Sequence, residues 1–226
     1  MIDSGLVPPY ACLLFDLDGV IADSRHAITR SINHALEAHG LPAQPERGLE
    51  RFIGPPLVDS FAELLAELGG SASLAGPCVA AYRQRYETAC VVETLPYPGV
   101  GRVVERLAAQ LPLAVATSKP VHFAEPILGT LGLREAFRAV VGPSLTALKE
   151  PKSATVARAL DALGRPGPAA LVGDRRHDVA AGQANGVDTI GVTWGFGSRA
   201  ELEAAGADFV VETPEALLDR ALDRPG

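Results

Sequence analysis

The chain has 226 residues, 47% of them hydrophobic, with 20 Lys+Arg against 27 Asp+Glu and a formal net charge of −7. That is enough for one large domain, or for a core with a smaller inserted one, and an acidic balance without a basic run argues against a nucleic-acid polymer as partner. No apolar stretch nears the about 20 residues that span a bilayer, no signal peptide is evident, and Cys12, Cys78 and Cys90 lack metal-ligand spacing, so free thiols in a reducing cytoplasm are expected, with no membrane association.

Residues 1–9, with Gly5, Pro8 and Pro9, read as a loose leader. An apolar run at 11–15 follows and ends in Asp16 and Asp18, with Gly19 behind them. Further short apolar runs at 113–116, 139–141, 169–172, 189–192 and 209–211 read as strands buried on both faces. Helical patterns lie between them at 100–109, 122–131, 154–163, 179–185, 200–205 and 214–222. The alternation predicts an α/β fold: a doubly wound, mainly parallel sheet with right-handed crossovers and a Rossmann-like core.

The stretch between Val20 and Pro96 breaks this alternation. It shows no strand, only helical segments at 25–39, 46–52, 57–67 and 77–91, punctuated by Gly40-Leu41-Pro42 and Gly54-Pro55-Pro56. It is too long for a loop. The expected division is a core of 1–20 with 96–226, and a helical insert of 21–95 lying over the C-terminal edge of the sheet. Hinges are expected near 21–23 and 94–98, the second stiffened by Pro96 and Pro98.

Chemistry-bearing residues gather just after the strands. Asp16 and Asp18, spaced i, i+2 at a strand tip, repel unless a cation or a shared proton relieves them. Mg²⁺ does so with oxygen ligands. Thr117-Ser118-Lys119 follows 113–116, a lysine stands near the start of the helix expected from about 153, and Gly173-Asp174-Arg175-Arg176-His177-Asp178 follows 169–172. Plainer readings stand beside these: Thr117 as a helix cap, Lys119 as a solvated surface lysine, Asp23 and Ser24 as the cap of the helix from about Arg25, and His26, His34 and His39 as ordinary helix residues.

Taken in this order, from about Ala11 to Leu218, the motifs resemble the haloacid dehalogenase superfamily, and the insertion point is similar to its C1-type helical cap. Ala-Thr-Ser-Lys-Pro at 116–120, Val-Gly-Asp-Arg-Arg-His-Asp at 172–178, Gly-Phe-Gly-Ser at 195–198 and the segment 205–214 resemble its phosphoglycolate phosphatase and 5′-nucleotidase-like branch. The resemblance implies a Mg²⁺-dependent phosphatase acting on a small phosphorylated metabolite through an aspartyl phosphate. Asp16 would be the nucleophile. Asp18 would be general acid and then base, facing the metal with its backbone carbonyl. Asp174 would complete the metal ligands, with Asp178 behind them or binding through water. Thr117, with the backbone after it, would hold the phosphoryl group. Lys152 would balance its charge, with Lys149 as the alternative, because Lys149-Glu150-Pro151-Lys152 stands where many relatives have Lys-Pro. Glu150 would pair with one of these lysines or be exposed. Gly19, Ser118 and Lys119, and Arg51 and Gly54 from the insert, are the expected substrate contacts, and Arg176 or His177 could reach the substrate.

Asp18 separates phosphoryl transfer from dehalogenation, where no leaving alkoxide needs a proton. A phosphomutase of the same superfamily and a non-catalytic phosphate-binding module are the competing readings. Phosphate release from an ester panel, lost in Asp16→Asn, would separate them.

Overall fold

The computed structural model describes residues 9–146 and 150–222. Contacts divide the chain into an α/β unit, 1–22 with 96–226, and a helical unit, 23–95. The strands are β1 (Cys12–Phe15), β2 (Ala22–Asp23), β3 (Leu95–Pro96), β4 (Leu113–Ala116), β5 (Ala139–Val141), β6 (Ala169–Gly173), β7 (Asp188–Val192) and β8 (Phe209–Val211). The two-residue strands β2 and β3 pair with each other where the chain passes between units. They lie at the edges of the stretch expected to hold no strand, and are too short to carry a period-2 signal.

The six long-range strands form one sheet in the order β5-β4-β1-β6-β7-β8, each pairing parallel. The chain winds outward from β1 to β5, returns, and winds out the other way from β6 to β8. The winding direction therefore reverses beside β1, and the crevice at the strands' C-terminal ends is where such sheets take their ligands.

Alternation along each strand sends one set of side chains to each face. Cys12 and Leu14 of β1, Ala114 and Ala116 of β4 and Ala169 and Leu171 of β6 meet Val156, Ala159, Leu160 and Ala181 from the helices Lys152–Ala162 and Arg176–Ala184. The many alanines let these helices pack close to the sheet. The opposite face carries Leu13, Phe15, Leu113, Val115 and Val172, all without exposure, and Phe15 packs edge-on to Phe137. Each such large side chain contributes about 1.5–3 kcal/mol on burial. Cys12, Cys78 and Cys90 are buried free thiols.

Register sets the height of the strand tips. Phe15 pairs with Val115 on one side and Val172 on the other. One residue further, the Asp16 N–H donates to Val172 O at 2.9 Å, so the ladder runs one step past the strand. Asp16 is thereby level with the ends of β4 and β6, after which Thr117 and Asp174 follow directly.

Among the helices that begin earlier than their apolar periodicity predicts, two bear on the strand tips, at Lys152 instead of 154 and at Arg176 instead of 179. Their first turns are polar, so no hydrophobic spacing marks them. Pro151 and Arg175, both extended, end the preceding loops.

In the helical unit, Arg25–Ala38 and Ala75–Val92 pack together, with Leu57–Glu67 against the latter. Tyr82 and Tyr86, one turn apart, stack at 5.1 Å, and Phe61 meets Tyr82 edge-on at 6.3 Å.

Candidate active site

Asp16 is 9% exposed, Asp174 1% and Asp178 3%, so three acids are buried together, two directly after neighbouring strands and one in the helix turn that follows. The Asp16 carboxylate accepts the Leu17 N–H through Oδ1 at 2.7 Å, and its Oδ2 lies 2.5 Å from Lys152 Nζ. Asp174 follows β6, and its Oδ2 accepts the Phe196 N–H at 2.7 Å. Asp178 is in the first turn of its helix, where Oδ2 accepts the N–H groups of Asp174 at 3.2 Å and Arg175 at 3.0 Å. Its Oδ1 lies 2.6 Å from Lys152 Nζ. One carboxylate oxygen from each of Asp16, Asp174 and Asp178 lies within 4.8 Å of the other two.

Burial pushes Asp16 up to about 6; Lys152 pulls it down, while Asp178 and Asp18 add repulsion. Asp174 is held well above the usual carboxylate range by burial, then by Asp178 and Asp16. Burial acts on Lys152 in the opposite sense, but Asp16 and Asp178 outweigh it and keep the ammonium charged. One buried ammonium against three acids leaves an excess of negative charge. Oxygen donors this close, all from carboxylates, fit a hard divalent cation.

Asp18 stands beside this group. Its Oδ2 lies 3.1 Å from Lys119 Nζ, and the two side chains are only 13% and 5% exposed. Lys119 is therefore no solvated surface lysine. Thr117 is buried, and its Oγ1 accepts the Lys119 N–H at 3.1 Å. The next helix starts at Val121 behind Pro120, so Thr117 does not cap it. Ser118 is exposed.

Two glycines make room for Asp174. Gly19 has φ +84°, and a Cβ there would lie 2.1 Å from Asp174 Oδ2. A Cβ on Gly195 would lie 2.4 Å from the same oxygen and 2.4 Å from Gly19 O. Only bare backbone fits on either side of that carboxylate.

Several relations escape sequence reasoning. The Phe196 N–H is a backbone group and leaves no mark in residue types. Glu150 accepts from Thr155 Oγ1 at 2.8 Å and from Arg158. Lys149 lies outside the described residues. Asp23 does accept the Arg25 N–H, at 3.1 Å. Arg51 and Gly54 belong to the helical unit, where Arg51 pairs with Glu67 and lies over the Phe52 ring, and Gly54 is exposed with φ +103°. His26, read as an ordinary helix residue, has an acid partner, Glu46 at 2.8 Å, brought to it from the next helix. His177 is exposed beside Arg176.

Residues 13–192 match the family model described as haloacid dehalogenase-like hydrolase. The chain is 36% identical over 197 residues to a protein of Pseudomonas aeruginosa named 5′-nucleotidase, covering 86% of this chain and 88% of that one. It is also 36% identical over 213 residues to a Mycobacterium tuberculosis protein named tyrosine-protein kinase PtkA, covering 92% of this chain and 68% of that one. Among solved structures, a predicted phosphatase from Clostridium acetobutylicum superposes with a TM-score of 0.85 at 33% identity, over 93% of this chain and 97% of that one. The extent of these matches, with buried acids and a lysine at the tips of a parallel sheet, shows that this chain belongs to the haloacid dehalogenase-like hydrolases and is a phosphatase-type enzyme.

Proposed function

We propose that the protein is a Mg²⁺-dependent phosphatase that hydrolyses a small phosphomonoester, phosphoglycolate-like or nucleotide-like, through an acyl phosphate on Asp16. The observation that carries this reading is the packing of Asp16, Asp174 and Asp178 oxygens within 4.8 Å of one another around the Lys152 ammonium.

Asp16, the Asp18 backbone carbonyl and Asp174 would hold the cation. Both Asp178 oxygens are engaged, one by two backbone N–H groups and the other by Lys152, which suits Asp178 to fixing its neighbours. When bound, Mg²⁺ supplies Lewis-acid charge neutralisation at the phosphoryl oxygens. Asp16 attacks phosphorus, forming an acyl phosphate bond as the P–O bond to the leaving group breaks. Asp18 gives its proton to the leaving oxygen, then takes one from the water that hydrolyses the acyl phosphate and frees Asp16. Thr117 Oγ1 already accepts the Lys119 N–H, so its hydroxyl proton is the part that turns to a phosphoryl oxygen. Lys152 keeps the nucleophile's carboxylate paired and offsets phosphoryl charge.

The likeness to a protein named as a kinase raises a second outcome, transfer of the phosphoryl group to a hydroxyl instead of to water. The same competition applies to a mutase. The deciding measurement is kcat/KM over a panel of phosphate esters with Mg²⁺, with free phosphate and phosphorylated acceptor both quantified. Phosphate release lost in Asp16→Asn is expected; phosphorylated acceptor without free phosphate would overturn hydrolysis. Arg51 and Gly54 remain proposed substrate contacts, tested by a shift in ester ranking in Arg51→Ala.

A further inference from the structure

Glu201 lies in the short helix Arg199–Ala204, outside every motif that carries the family resemblance. One oxygen, Oε1, accepts both the Arg175 Nε–H at 3.0 Å and the Arg176 backbone N–H at 3.0 Å. The Glu201 and Arg175 side chains are 21% and 14% exposed. Arg175 and Arg176 directly follow Asp174. The 174–178 segment is thus held from two directions: inside by Asp178 Oδ2 on the N–H groups of Asp174 and Arg175, and outside by Glu201.

Glu201 is itself fixed. Its N–H donates to Ser198 Oγ at 3.1 Å, so it stands on the turn that follows Phe196, the residue whose N–H grips Asp174. The 195–201 segment therefore clasps the Asp174 loop twice, once at the carboxylate and once at the backbone beyond it. An alanine at 201 would leave a guanidinium and a backbone N–H seeking another acceptor next to the carboxylate cluster.

We infer that Glu201 is a positioning residue for the cation site: through Arg175 and Arg176 it sets where Asp174 presents its oxygens. This rests on the proposed Mg²⁺ site. Groups hydrogen-bonded directly to a ligating side chain are worth about 10–100-fold in metal affinity, and Glu201 acts one step further out, on the backbone that follows Asp174.

The test is calorimetric titration of the whole chain with Mg²⁺, alongside the melting temperature without metal. Glu201→Ala should weaken Mg²⁺ binding roughly tenfold or more. Glu201→Asp, which pulls the carboxylate back by one methylene, should also weaken it. Glu201→Gln keeps an oxygen able to accept both N–H groups and should bind like the parent. Glu203→Ala, on the same helix and paired with Arg199, should leave binding unchanged. In turnover, half-saturating Mg²⁺ should rise with little change in kcat at saturating metal. Parent-like binding in Glu201→Ala overturns the inference, as does equal weakening in Glu203→Ala. Where Glu201→Ala does not fold, parent-like binding in Glu201→Asp overturns it equally. If the parent binds no Mg²⁺, the cation reading of the acids fails first and takes this inference with it.

Discussion

In the α/β unit, charge is buried: three carboxylates and an ammonium gather at the strand tips and the helix starts beside them, with the Asp16 side chain 12% and the Lys152 side chain 9% exposed. In the helical unit, ion pairs such as His26–Glu46 and Arg51–Glu67 lie on half-exposed side chains, and the buried residues are mainly aliphatic and aromatic, with a few hydroxyls but no buried carboxylate. Buried like charges oppose folding, whereas exposed pairs contribute little either way. The first unit therefore carries an electrostatic cost tied to chemistry, and the second gets its stability from packing. Four substitutions would break or sharpen this contrast.

The largest effect is expected from Asp16→Asn. Loss of the nucleophile should lower turnover by about 10⁴-fold or more, while the metal-free protein becomes more stable at pH 7.5. The sign follows from proton linkage. Asp16 has its folded pKa raised to about 6, above the unfolded carboxylate range. Stability held by the protonated form is present at low pH and is lost as pH rises through about 6. Thermal melts in chelator should show the variant's advantage at pH 7.5 and not at pH 4. A variant less stable than the parent at pH 7.5 would mean that Lys152 needs Asp16 more than the acids repel it.

Phe61→Ala comes next. Phe61 is 1% exposed against Tyr82, and its truncation should cost about 3–5 kcal/mol in denaturant unfolding. A loss below about 1 kcal/mol would deny that packing holds this unit together.

Gly195→Ala should act on function at smaller scale. A methyl 2.4 Å from Asp174 Oδ2 forces that carboxylate aside. Activity should fall about 10–100-fold, with half-saturating Mg²⁺ raised. Unchanged Mg²⁺ dependence would show that the loop yields instead.

The smallest effect belongs to Glu46→Ala. Glu46 accepts from His26, Thr29 and Arg30, yet its side chain is 36% exposed. The change should cost no more than about 1 kcal/mol in denaturant unfolding. A larger loss would mean that this surface network does what the aromatic core is credited with.

What could be read from residue types follows the same contrast. Strands buried on both faces leave unbroken apolar runs, so the sheet was legible, and acids directly after such runs mark its tips. Asp178 was less so: its helix opens with Arg176-His177-Asp178, polar residues with no periodicity, and its role in gripping two N–H groups depends on a first turn that the spacing missed. For Lys119 a substrate contact and a solvated surface lysine stood equally open, because nothing local tells that Asp18 will stand 3.1 Å from it. Gly195 and Phe196 act through the absence of a side chain and through a backbone N–H, and neither can be deduced from composition. Relations across strands are set by register, and register is written over the whole sheet.

The hydrogen bond from the Asp16 N–H to Val172 O makes the proposed nucleophile part of the central ladder, with no loop between. Its amide should therefore exchange with solvent deuterium as slowly as those of β1 and β6, on the schedule of global unfolding. Breathing motions at the margins of the molecule cannot then misplace Asp16 alone. The group that would attack phosphorus keeps its position until the sheet itself comes apart.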